Sequence, residues 1–248
     1  NAKGVTIHSF FQMPFGPILP NQITHTSNQQ RRFSKNKIDI IKSLDLVIID
    51  EISMVRADVL DGIDKVLRRY KNKHKVFGGV QILMIGDLQQ LAPVVKPNEW
   101  SLLKEHYSTV YFFSAKAYQS AAVISIELQH IYRQKNEDFI KILNEIRNDQ
   151  LSETSAKILN NRYQPNFSPH KDEEYITLTT HNNRASLIND SELNKLKTKN
   201  YFFKAEVSGK FNENAYPNDE KLVLKVGAQV MFIKNDSSPE KRYYNGKI

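Results

Sequence analysis

Four consecutive apolar residues, Leu46-Val47-Ile48-Ile49, run straight into two adjacent carboxylates, Asp50 and Glu51. A continuous apolar run rich in β-branched residues reads as a parallel strand buried on both faces. In open α/β sheets ligands bind beyond the carboxyl ends of the strands, so this pattern delivers an acidic pair to the edge where chemistry takes place. One carboxylate there can orient Mg²⁺ while its neighbour polarises a water for attack on a phosphoryl group, the Walker B arrangement. A strand that ends in a solvated acidic turn is the alternative, and the string alone leaves both open.

A second string follows about 35 residues later, Gly86-Asp87-Leu88-Gln89-Gln90-Leu91-Ala92-Pro93-Val94, after another apolar run at 80–85. An amide side chain at such a strand end can hydrogen-bond a terminal phosphate and report its loss to the adjoining loop, where a carboxylate would be repelled. A merely polar strand-to-turn transition fits this string equally well. The two strings together are far more specific than either.

Between them, Val55, Val59, Leu60, Ile63, Val66, Leu67 and Tyr70 recur at helical spacing, which predicts a helix over 54–70 with one packed stripe and its Arg, Asp and Lys residues in water. Strand, helix, strand in that order makes a right-handed βαβ unit and an α/β layered fold. Further short strands are expected at 110–113 and 123–128, with a helix at 115–122 between them. Residues 4–11 read as strand-like, and 12–37, with Pro14, Pro17 and Pro20, as a loop-rich insertion. The pattern restarts near 129–135, where a domain boundary is placed. Beyond it come a helix through Phe139, Ile140, Leu143 and Ile146, a strand at 175–179, and a β-rich tail with strands near 203–207 and 228–233.

Size and charge narrow the function. A chain of 248 residues with 40% hydrophobic content suits two domains rather than a disordered tail. Lys plus Arg exceed Asp plus Glu by 35 to 27, which favours polyanionic partners such as nucleic acid. No apolar run approaches the roughly 18 residues needed to cross a bilayer. The absence of cysteine excludes disulfides and thiolate metal sites and fits a reducing compartment.

Taken in order, the strings resemble the motifs of PIF-type and RecD-like superfamily-one DNA helicases. Gly4-Val-Thr-Ile-His8-Ser9-Phe10-Phe11 is similar to their motif Ia, Asp50-Glu51-Ile52-Ser53-Met54 to motif II, and 86–94 to motif III. The stretch from Glu51 to Asp58 resembles a segment that sets the PIF type apart. Leu128-Gln-His-Ile-Tyr132-Arg133-Gln134 resembles motif IV, Leu178-Thr-Thr-His181-Asn182 the next DNA-contacting motif, and Val226-Gly-Ala-Gln229-Val-Met231 with Asn245-Gly246 the start of motif V. The resemblance implies tandem RecA-like domains, 1–130 and 131–248, with the 12–37 insertion and its Arg31 and Arg32 near a duplex junction. It also implies ATP and Mg²⁺ as cofactors, with Asp50 on Mg²⁺, Glu51 on the hydrolytic water, Gln90 on the γ-phosphate and Arg133 as an arginine finger. His8, Ser9, His181, Asn182, Gln229 and Asn245 would follow single-stranded DNA. Phe10 and Phe11 are either core or base-stacking residues, and Phe11 is carried as a DNA-contact candidate. The implied partners are single-stranded DNA and DNA junctions, with G-quadruplexes and RNA–DNA hybrids among them, for a monomer moving five-prime to three-prime in the bacterial cytoplasm at the nucleoid, or in a eukaryotic nucleus or mitochondrion.

The sequence also departs from that pattern. No Gly-x-x-x-x-Gly-Lys followed by Ser or Thr occurs, so the nest of backbone amides for phosphate is missing from these residues. The chain therefore reads as an internal fragment, expected to be poorly stable and inactive as an ATPase by itself. Two rivals remain: a non-catalytic single-strand-binding protein that retains the fold, and a nucleotide-dependent protein remodeller.

Overall fold

The computed structural model describes residues 4–14, 16–20, 33–167, 175–207, 218–236, 238 and 240–248. Arg31 and Arg32 lie outside the described residues. The chain divides into two compact units, Asn1–Arg162 and Tyr163–Ile248. The change of sequence pattern at 129–135 falls within the first of them.

The first unit opens with α1, Ile7–Phe11. Its strand-like sequence is overridden locally: Thr6 caps the turn by accepting from Ser9 N at 3.3 Å, and Gln12 closes it in the left-handed region. Phe11 thereby enters the core. Next come α2, Lys35–Ser43, and β1, Leu46–Ile49. A 3₁₀ turn, Ile52–Met54, leads into α3, Ala57–Tyr70, and then to β2, Gln81–Met84. β1 and β2 pair in parallel, Leu46 opposite Gln81 and Ile49 opposite Met84, so the expected strand–helix–strand unit forms. α4 (Pro97–Leu103), α5 (Lys116–Ser120), α6 (Glu137–Arg147) and α7 (Glu153–Asn160) complete the unit.

Burial of the sheet differs from the sequence expectation. One face packs inward through Ile49 with Val47, Ile82 and Met84 against the core built on Leu60, Ile63 and Leu67. The opposite face, Leu46, Ile48, Leu83 and Ile85, is exposed, because among the described residues the helices cover only one side. The expected strands at 110–113 and 123–128 do not form. Residues 112–114 make a 3₁₀ turn, Tyr111 makes an isolated bridge to Arg56, and 123–128 is irregular with Ile124 and Ile126 exposed. A strand exists only through a continuous ladder to a partner: residues 110–113 have only the Ala57 N to Val110 O bond of 2.9 Å and the single Arg56–Tyr111 bridge across to another segment, and 123–128 have no backbone bond among the described residues.

The helix over 57–70 holds the larger surprise. Asp58, Asp61 and Asp64, expected in water, are buried on it. Each carboxylate is hydrogen-bonded by two or three donors, as burial of charge requires. Asp58 accepts from Arg56 Nε at 2.9 Å, Arg56 Nη2 at 2.8 Å and Ile18 N at 2.8 Å. Asp61 accepts from Tyr107 Oη at 2.9 Å and from the first amides of α5, Lys116 N at 3.2 Å and Ala117 N at 2.8 Å. The residue preceding α5 is Ala115, which offers no side-chain cap, so a carboxylate from another helix takes that role. Asp64 accepts from Arg68 Nε at 2.7 Å and Phe77 N at 2.5 Å.

The second unit contains α8, Asn182–Lys195, and the antiparallel pair β3, Asn200–Lys204, with β4, Lys221–Lys225. Their register sets Asn200 opposite Lys225 and Phe202 opposite Val223. The tail strand therefore lies at 221–225 rather than at 228–233, and 175–179 is not a strand. No helix among the described residues is long and apolar enough to cross a membrane.

Candidate nucleotide and nucleic-acid site

Parallel pairing brings both chemistry-bearing strings to one sheet edge. β1 ends at Ile49 and β2 at Met84, so Asp50-Glu51 and Asp87–Gln90 leave neighbouring strand ends side by side. Two backbone bonds fix the approach: Ile85 N donates to Ile49 O at 2.9 Å, and Ile52 N donates to Ile85 O at 2.9 Å. Gly86 makes that approach possible. A Cβ on it would stand 2.8 Å from Ile52 Cγ2 and 3.0 Å from Ser53 N.

At the acidic doublet the chain turns sharply. Glu51 adopts φ 54, ψ 44, a left-handed conformation that non-glycine residues rarely take and that clusters at functional sites. Asp50 Oδ1 accepts from Glu51 N at 3.0 Å, and Met54 N closes the turn onto Glu51 O at 3.0 Å. Both carboxylates are exposed, whereas Ile52 and Ser53 behind them are buried. Hard oxygen donors of this kind suit Mg²⁺. Among the described residues no group of three His, Asp or Glu could hold a metal by itself.

Opposite the doublet, residues 87–90 form a tight turn. Gln90 N donates to Asp87 O at 3.0 Å, and Gln89 N to Asp87 Oδ1 at 3.0 Å. The Gln90 amide nitrogen donates to Asp87 Oδ2 at 3.2 Å. Asp87 is held below the usual carboxylate range, first by the Gln89 amide, against some burial, and then by Gln90 and Arg147. Sequence reading assigned no role to Asp87 or Arg147; the string at 86–94 contained the first and nothing signalled the second. Arg133 is exposed and makes no hydrogen bond or ion pair among the described residues.

The residues expected on DNA occupy both units. His8 is half-buried in α1, and burial, followed by the charge of Arg56, pushes its pKa down while Asp58 opposes the shift. Ser9 beside it is exposed. Phe11 is 4% exposed and packs edge-on to Phe10 at 4.9 Å, so its ring belongs to the core and is not offered to a base. In the second unit, His181 immediately precedes α8 without a side-chain capping bond, its Nδ1 lying 2.8 Å from Thr180 Oγ1, and Asn182 is the first helical residue. Free amides at the start of a 14-residue helix present partial positive charge suited to a phosphate. Gln229 and Asn245 are exposed, and Asn245 N donates to Asn235 Oδ1 at 2.8 Å.

Residues 2–157 match the family model described as PIF1-like helicase. The chain is 30% identical to the ATP-dependent DNA helicase Pif1 of Campylobacter jejuni over its whole length, covering 56% of that protein. It is 30% identical to the ATP-dependent DNA helicase PIF1 of Saccharomyces cerevisiae, over 95% of this chain and 27% of that protein. The chain thus spans about half, or less, of the curated relatives it matches. Among solved structures, it resembles Bacteroides Pif1 bound to single-stranded DNA, with 39% identity, 99% of this chain and 55% of that chain covered, and a TM-score of 0.82. The same helicase in complex with ADP-AlF3 and single-stranded DNA matches with 40% identity over 98% of this chain and 55% of that chain, at a TM-score of 0.81.

Proposed function

Because this chain belongs to the PIF1-like helicase family and has its RecA-like α/β fold, we propose that the full-length polypeptide is an ATP-dependent DNA helicase whose hydrolytic edge is the one formed by β1 and β2. The observation that carries this reading is the parallel pairing that sets Asp50-Glu51 beside Asp87–Gln90, joined by the Ile52–Ile85 backbone bond of 2.9 Å. Asp50 holds Mg²⁺, which when bound neutralises phosphate charge. Glu51 orients the attacking water and accepts its proton, the Gln90 amide donates to the γ-phosphate, and Arg133 supplies planar positive charge to the transferring phosphoryl group. Loss of that phosphate frees Gln90, and the change passes through the Gly86 approach to both strand ends.

His8 and Ser9 in the first unit, and His181, Asn182, Gln229 and Asn245 in the second, contact the phosphates and sugars of single-stranded DNA. Support for His181 and Asn182 comes from the exposed amino end of α8, and for Gln229 and Asn245 from their exposure. The motor divides into two RecA-like domains near residue 130, moves five-prime to three-prime as a monomer, and acts at DNA junctions, G-quadruplexes and RNA–DNA hybrids, in a bacterium at the nucleoid. Relatives named as helicases and the solved complexes with single-stranded DNA support the DNA partner.

Glu51→Gln in the full-length polypeptide tests the assignment. Nucleotide affinity should persist while DNA-stimulated turnover falls by about 10²-fold or more, as for a residue acting on the attacking group. Near-normal turnover would remove Glu51 from the role.

A further inference from the structure

One ion pair beside the proposed site plays no part in the reaction just described. Asp87 Oδ2, which accepts from the Gln90 amide at 3.2 Å, also accepts from Arg147 Nη2 at 2.5 Å. A single carboxylate oxygen therefore joins the side chain assigned to the γ-phosphate with the last residue of α6, 60 residues away in sequence. Arg147 lies beyond the sequence boundary at 129–135, so this contact ties the second string to the stretch that follows the motif IV resemblance, inside one compact unit. Asp87 is largely covered, its side chain 19% exposed, and Arg147 is half-exposed. At the carboxyl end of α6 a guanidinium is also favoured by the helix dipole, which holds it in place when its partner rearranges.

We propose that Arg147 is a positioning residue for nucleotide turnover: by neutralising Asp87 it lets the Gln90 amide exchange that carboxylate for the anionic γ-phosphate. The proposal rests on the nucleotide reading of Gln90. An unneutralised carboxylate three residues from Gln90 would oppose the exchange twice. It would bind the amide more tightly, because a charged acceptor makes the stronger hydrogen bond. It would also repel the incoming triphosphate. Arg147 screens both effects without touching the nucleotide. Since the pair is partly exposed, its influence is a matter of several-fold rather than orders of magnitude.

The test is a double-mutant cycle in the full-length polypeptide, measured as single-strand-stimulated ATP turnover. Arg147→Ala is expected to raise the KM for ATP by about fivefold, the low end of ordinary coupling between sites, with a smaller change in kcat and unchanged affinity for oligo-dT without nucleotide. In an Asp87→Asn background the same substitution should change KM by less than about twofold, because no charge remains to be neutralised. Arg147→Lys, which keeps the charge, should stay closer to wild type than Arg147→Ala, and Arg147→Gln replaces the alanine variant should that one fail to fold. Equal effects of residue 147 in the two backgrounds overturn the proposal, as does a lysine variant as impaired as the neutral ones. A lowered melting temperature with unchanged KM also overturns it, since that is what a purely structural pair would give. If the wild-type polypeptide shows no DNA-stimulated turnover, the helicase reading and this inference fall together; turnover with additive effects removes only the role of Arg147.

Discussion

Replacing Gly86 with alanine probes the contact on which the candidate site depends. The added Cβ would meet Ile52 Cγ2 at 2.8 Å, Ser53 N at 3.0 Å and Ile52 N at 3.1 Å. Ile52 is buried and the other two atoms are backbone, so no flexible side chain can yield. Relief requires the end of β2 to move away from the 52–54 turn, which breaks the Ile52 N to Ile85 O bond. Overpacking of this kind costs about 1–3 kcal/mol. Loss of the backbone bond adds about 1 kcal/mol, so roughly 2–4 kcal/mol is expected in all. At about 2–4 °C per kcal/mol for a unit of this size, melting should fall by at least about 4 °C. Turnover of ATP should fall as well, because the same displacement moves Glu51 away from Gln90. Gly4, where nothing lies within 4 Å of a built Cβ, provides the control for stability. Thermal unfolding of the full-length polypeptide carrying each substitution is the assay. A Gly86→Ala protein that melts within about 1 °C of wild type and hydrolyses ATP normally would refute the claim that this close approach is fixed.

The buried aspartates give further expectations. Asp58→Ala removes two charge-assisted bonds from the Arg56 guanidinium, whose side chain is 13% exposed and which keeps Gly16 O and Glu99, and leaves Ile18 N without its acceptor; it should destabilise by about 2–4 kcal/mol, measured by chemical denaturation, and a loss below about 1 kcal/mol would contradict the buried-pair assignment. Tyr107→Phe removes one of three donors to Asp61 and leaves two amides in place, so the expected cost is smaller, about 1–2 kcal/mol. His8 is held below its ordinary value of 6.5, so the folded state resists protonation that the unfolded chain accepts. Its contribution is complete above pH 6.5 and is lost as pH falls from there toward the lower folded value. Melting temperature should therefore drop across that window, and His8→Gln should flatten the slope; an unchanged slope would assign the pH dependence to other groups.

Much of the candidate site was legible because its strings are written locally. A strand that delivers Asp50 and Glu51 to its carboxyl end, and another that ends at Met84 and leads into the turn carrying Gln90, are encoded in runs of a few residues, so composition and spacing suffice to find them. The α/β alternation follows from the same periodicities. Sequence also separated the two readings of Phe10 and Phe11 without choosing, since an aromatic after a helix or a strand can face either way; burial of Phe11 made the choice.

Contacts between distant residues decided the rest. Asp58, Asp61 and Asp64 look like the solvated face of an amphipathic helix, and only the arrival of Ile18, Tyr107, α5 and Phe77 as hydrogen-bond donors turns that face inward. Residues 123–128 carry strand-forming side chains, yet a strand requires a neighbour's backbone, which no local pattern can supply. Gly86 reads as a turn residue until Ile52 is seen against it, and Asp87 as a polar residue until Arg147 reaches it from 60 positions further on. Periodicity fixes which way a side chain leaves its own element; what waits there depends on the path of the whole chain.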